Sequence, residues 1–103
     1  MTALQSRFLS LVDRLGENFT ISGVTHRGVF GILPPSVAGR YLVQAVLDAS
    51  ERPFRSVYTA YDDTSAEADI VTWNSVTYTI RRVVEMRVGG VAVSRLLVLT
   101  EGL

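Results

Sequence analysis

"RVGGVAVSRLLVLT", residues 87–100, decides how this chain folds. Gly89 and Gly90 supply the backbone freedom of a two-residue hairpin turn, and the flanking strands carry Val83, Val84, Val91, Val93, Leu97 and Leu99. Immediately upstream, "IVTW" at 70–73, the turn "NS" at 74–75 and "VTYTIRRVVEM" at 76–86 read as a second hairpin. Asn74 at that turn is a residue type that tolerates positive φ.

Further upstream the same period of two continues, in strand-favouring Val, Ile, Thr, Tyr and Phe. "FTISGV" (19–24) alternates Phe19, Ile21 and Gly23 on one side, and "HRGVFGIL" (26–33) follows. "PPSVAG" breaks the pattern, since proline cannot donate to a sheet ladder. "RYLVQAVL" (40–47) reads as a strand or a short helix, "DASERP" (48–53) as a polar connection, and "FRSVYTAY" (54–61) as a further strand. It runs into "DDTSAEAD" (62–69), the most acidic stretch of the chain.

Only the start departs from this period. Leu4, Phe8, Leu11, Val12 and Leu15 recur at spacings of four, three, one and three, which is one face of an amphipathic helix. Thr2 can cap its start, and Gly16 can end it in a left-handed conformation. The apolar stripe must be buried against the rest of the domain or against a neighbouring subunit. The expected fold is therefore mainly β (α+β): a small β-barrel or sandwich of about six antiparallel strands over 18–100, with one N-terminal amphipathic helix at 2–15.

The totals bound the function. At 103 residues the chain is the size of one domain, 1–103. A composition of 48% hydrophobic and 19% charged residues is that of a globular chain. Ten basic against ten acidic side chains leave no bulk positive field for binding along nucleic acid, and permit self-association. All the basic residues are arginine, which reflects codon or genomic bias or favours planar, bidentate contacts. The absence of cysteine excludes disulfides and thiolate zinc sites. No segment reaches the roughly 18 apolar residues of a membrane span, and the start lacks a leader pattern. The chain reads as soluble and unprocessed, with no membrane partner.

Candidate chemistry is sparse. His26, the only histidine, would need Ser22, Asp62 or Asp63 to converge on it, and no nucleophile-elbow motif accompanies it. Beside Arg27 on an alternating strand it reads as part of a solvent-facing pair. Asp62, Asp63, Glu67 and Asp69 miss the calcium-loop spacing, so they read as a solvated loop. "VGG" and "RGVFG" lack the fingerprints of phosphate loops. No catalytic residue, cofactor or metal is expected, and the chain does not read as an enzyme. Arg81, Arg82, Arg87 and Arg95, with Tyr78 for stacking, would be the basic patch of a small nucleic-acid- or peptide-binding barrel. Trp73, next to a hairpin turn, reads as core edge or interface anchor. "ILPPSVAG" (32–39) reads as an apolar loop that either contacts a partner or folds back onto its own domain.

The order of these parts resembles the small head-tail joining proteins of tailed bacteriophages, the lambda-like tail-attachment or connector-stopper group. The matching parts are "LQSRFLSLVDRL", "HRGVFGILPP", "ADIVTWNSVTYTIRRVVEM" and "SRLLVLTEG", which together cover most of the chain. The resemblance implies a β-barrel subunit that forms a homo-oligomeric ring in the virion neck, beneath the portal, after assembly in the host cytoplasm. Its partners would be itself, the portal or connector proteins and the tail proteins, with non-specific contact to packaged DNA; a tail terminator or another neck subunit shares much of the pattern. The expected contact surfaces are the helix, through Leu4 and Phe8, the loops at 31–40 and 48–55, through Ile32, Leu33, Pro34, Pro35, Val37 and Arg52, and Trp73.

Overall fold

A computed structural model of the chain describes residues 2–33, 40 and 51–101, the side chains of 51–53 excepted. Helix α1 (Ala3–Leu15) precedes strands β1 (Glu17–Ile21), β2 (Val24–Leu33), β3 (Glu51–Ala60), β4 (Ile70–Trp73), β5 (Val76–Val88) and β6 (Val91–Glu101). The strands close into a barrel in the order β1-β2-β3-β6-β5-β4, every neighbouring pair antiparallel. Of the two β architectures expected, the barrel is the one that forms, and α1 packs outside it on β2, β3 and β6. The segment expected to be a strand at 40–47 falls almost wholly outside the described residues, as do Pro34, Pro35 and Val37.

Three hairpin turns have positive φ at both central residues: Ser22-Gly23 (51° and 80°), Asn74-Ser75 (50° and 63°) and Gly89-Gly90 (58° and 79°). That backbone twist matches the right-handed twist of the flanking strands. The second and third turns are as expected. The first corrects the reading of 19–24 as unbroken strand: the alternation ends at Ile21 and the chain reverses, pairing Ile21 with Val24 and Phe19 with His26.

Ile32 and Leu33, which the expected strand at 26–33 and the expected apolar loop at 32–39 both claim, belong to the strand: they end β2, where they pair with Arg55 and Phe54, and Leu33 is buried. The polar connection is shorter than expected, because β3 already begins at Glu51, opposite Glu101 of β6. Pro53 falls where the β3–β6 register is irregular, a position that tolerates a residue without an N–H.

The helix is fastened at both ends. Thr2 Oγ1 accepts from the Gln5 N–H at 3.2 Å, and the Thr2 N–H donates to Gln5 Oε1 at 2.9 Å, a capping box. Gly16 ends the helix in an extended conformation (φ −76°, ψ 163°), not a left-handed one, because Glu17 at once begins β1. Its side-chain space is closed, since a Cβ would lie 2.2 Å from the Val12 carbonyl oxygen. The last helical carbonyls are met from β2, where Arg27 donates to Val12 O at 3.3 Å and to Asp13 O at 2.9 Å.

At the other end Gln5 Nε2 donates to Ala92 O of β6 at 2.7 Å. One side chain thus caps the helix and ties it to the sheet. Gln5→Ala removes both bonds and is expected to cost about 1–2 kcal/mol, read as a fall in Tm of roughly 5–10 °C for a domain of this size. Gln5→Glu keeps the cap but cannot donate to Ala92, and should fall between the two.

Inside the barrel Phe19, Ile21, Val57, Val71, Tyr78, Ile80, Leu97 and Leu99 form the core, with Phe30, Trp73, Val76 and Val83 packed against it. Closure is narrow, since β1 meets β4 through only Thr20–Thr72 and Ile21–Val71.

Candidate functional site

Adjacent residues on a strand face opposite ways, and this separates His26 from Arg27. Arg27 faces out and caps α1. His26 is not solvent-facing as its sequence context suggests: it lies opposite Phe19, stacks on that ring at 5.4 Å and has a side chain only 11% exposed. Its Nδ1 donates to Asp63 Oδ1 at 2.7 Å.

Asp63 joins three other side chains at this end of the barrel, those of His26, Ser65 and Arg95. Its second oxygen accepts from the Ser65 N–H at 3.1 Å and from the Ser65 hydroxyl. Arg95 Nη1 lies 3.3 Å from the same oxygen and also donates to the Asp63 carbonyl, while Nη2 donates to the Ser65 carbonyl. Burial by itself raises the Asp63 pKa, but the bonds from Ser65 and His26 outweigh it and hold the carboxyl below its ordinary value of 3.8. The ionised carboxylate only accepts, so the proton in the His26 bond sits on Nδ1.

The expected solvated loop is thus solvated only in part. Asp62 and Glu67 are exposed, Asp69 accepts from the Ala66 N–H at 2.9 Å, and Asp63 is drawn inward. The arrangement brings a serine, a histidine and an aspartate together, but in the wrong order for nucleophilic catalysis. The Ser65 hydroxyl donates to the carboxylate and not to the imidazole, and Ser65 is 2% exposed. What the cluster does chemically is hold the 61–69 loop over the barrel end. Among the described residues no group of three or more His, Asp or Glu side chains is placed to hold a metal ion.

The opposite end is aromatic. Trp73 stacks on Phe30 at 4.1 Å and 4°, with the Arg55 guanidinium 5.7 Å from its ring centre and Tyr78 6.4 Å away. Trp73 is therefore part of the core edge. Trp73 Nε1, Arg55 Nε and Thr59 Oγ1 are buried without a hydrogen-bond partner.

The expected basic patch does not assemble. Arg95 is engaged with the loop, Arg87 pairs with Glu85 at 3.2 Å, Arg81 donates to Thr100 Oγ1 at 2.8 Å, and Tyr78 is buried in the core. Strand alternation and a bulge between Ile80 and Arg82 scatter these side chains.

Among the described residues two outer surfaces remain. Phe8, Leu11, Val12 and Leu15 of α1, with Val29, Tyr58 and Ser94 of the sheet, line a groove of about 210 Å³. Only Val12 of the helix is buried, while Leu11 is 39% and Leu15 62% exposed. The groove is thus the part of the helical stripe that the barrel leaves uncovered. The second surface is an arm. β3 accompanies β6 only as far as Ser94, and β4 accompanies β5 only to Thr79, yet β5 and β6 stay paired to Val88–Val91. Met86, Val88 and Val91 stand exposed on this two-stranded projection.

Of the expected contact residues, Leu4 and Phe8 lie half-buried on the helix, Ile32 is 64% exposed, and Leu33 belongs to the interior; Arg52 is placed only as a backbone position in β3. The arm and the sheet side of the groove were missed, although outward positions Val29 and Tyr58 follow from strand parity. The Asp63–Ser65 contact also had a signal, since aspartate commonly bonds the backbone two residues on. Comparison with known proteins gives no match to any family model, to any curated protein or to any solved structure.

Proposed function

We propose that this chain is a structural protein of the tailed-phage virion neck, which joins the DNA-filled head to the tail as a ring beneath the portal and acts without catalysis. The reading begins from the resemblance of four segments to head-tail joining proteins. The observation that supports it most is a closed barrel that carries both an uncovered apolar groove and a projecting apolar arm, while its buried polar cluster is engaged in fixing a loop. Assembly by contact needs such surfaces and no open catalytic centre. Among the described residues no helix is long and apolar enough to cross a membrane.

Purified protein is expected to bind portal-containing, DNA-filled heads and to restore tail joining to particles that lack it. Electron microscopy of those particles should show filled heads beside free, finished tails. Overlong tails would assign the chain to tail termination instead, and failure both to bind heads and to restore joining would end the reading.

A further inference from the structure

We propose that the β5–β6 arm of one copy seats in the groove beside α1 of a second copy, giving a head-to-tail contact. This rests on the reading of the chain as a self-assembling subunit and names the surfaces that meet.

The two surfaces suit each other in chemistry. Met86, Val88 and Val91, at the end of the β5–β6 hairpin, are 36%, 54% and 36% exposed. The groove is apolar along Phe8, Leu11, Leu15, Val29 and Tyr58. Seating aliphatic side chains there removes apolar surface from water on both copies.

The arm does not reach the groove of its own chain. Ser94 lines the groove and is also where β3 stops accompanying β6, so the arm runs outward from it. Val91, three residues further along an extended strand, lies about 10 Å away. Gln5 bonds the arm at Ala92, next to Val91, from the first turn of α1, whereas the open part of the groove follows Leu11 and Leu15 near the last turn.

Charge points to a second copy as the occupant. Arg7 and Arg14 flank the groove's helix on its exposed side, and among the described residues neither has a hydrogen-bond or ion-pair partner. At the arm base Arg95 pins the 61–69 loop, which presents exposed Asp62 and Glu67. One copy's acidic arm base therefore suits the next copy's basic helix flank, and a net charge of zero leaves no long-range repulsion between copies. Because arm and groove are different surfaces, the contact is heterologous and propagates until it closes.

The chain has no cysteine, so introduced ones report cleanly. Val88→Cys and Leu15→Cys variants, each at an exposed position, are mixed at about 1 mM and treated briefly with a short bis-maleimide. The mixed Val88→Cys to Leu15→Cys product is expected to exceed either same-variant product about tenfold, and a chain carrying both changes should give a ladder of oligomers. Adding Arg7→Glu and Arg14→Glu should cut the mixed product by about tenfold. Predominant Val88→Cys pairs would mean an arm-to-arm contact, and uncross-linked monomer would mean no contact; either overturns the proposal. The assay uses no heads or tails, so its failure leaves the neck reading standing. Variants that cross-link normally yet do not join tails count against the neck reading alone.

Discussion

Asp63→Ala is expected to cost about 3–5 kcal/mol of folding stability, the usual cost of removing one partner from a buried ion pair. The change leaves the Arg95 guanidinium, 16% exposed, without its counter-charge, and takes from His26 the acceptor 2.7 Å away. Ser65, 2% exposed, loses the acceptor of both its N–H and its hydroxyl. Urea unfolding at neutral pH measures the loss, and an equal stability for the variant would show that the loop is held by something else.

Asp63→Asn separates charge from shape. The folded pKa of Asp63 lies below the ordinary value of 3.8, so the native state favours the ionised carboxylate. Its contribution is fully present above the unfolded value and is lost as pH falls through the lowered folded value. The stability gap between the natural chain and Asp63→Asn should therefore hold steady from neutral pH down to about 4 and narrow below it. Curves that stay parallel into acid would mean that ionisation of Asp63 contributes nothing.

Phe19→Ala should have an effect of similar size, about 3–5 kcal/mol, from lost burial and the cavity left behind. Phe19 is 1% exposed, stacked on His26 at 5.4 Å and edge-on to Phe30 at 5.5 Å. It also sits on the strand that closes the barrel through only Thr20–Thr72 and Ile21–Val71. With so few closing backbone pairs, β1 depends on Phe19 and Ile21 in the core. Typical domains have only about 5–15 kcal/mol in total, so the variant should unfold at much lower urea with an unchanged slope. Val24→Ala on β2, 59% exposed, should stay within about 0.5 kcal/mol. If the two variants lost similar stability, the barrel interior would not be what holds β1.

Much of the fold was legible because its signals are local. The 3.6 period of Leu4, Phe8, Leu11, Val12 and Leu15 marks a helix, and Asn74-Ser75 and Gly89-Gly90 mark reversals between runs of period two. Reading failed where a local sign had two meanings. Ser22-Gly23 continues an alternating run on paper but is a turn in space, because both residues take positive φ. Ile32 and Leu33, next to two prolines, fit both the end of a strand and the start of a loop on paper, and their backbones pair with β3.

The candidate surfaces were less legible still. His26 shares strand parity with Gly28 and Phe30, which places it on the inner face, yet its partner Asp63 is 37 residues away. Nothing in either neighbourhood names the other.

By itself, then, the sequence determined the kinds and order of the described elements and two of the three hairpin turns among them, because periodicity and turn chemistry act over a few residues. Only the tertiary structure decided that the sheet closes as a barrel, that His26 and Arg95 clasp Asp63, and that Leu11 and Leu15 of the helical stripe stay exposed on a barrel whose β5–β6 arm runs past its neighbouring strands. Those outcomes depend on strand register and on which strands run past their neighbours, and both are settled by contacts between residues far apart in the chain.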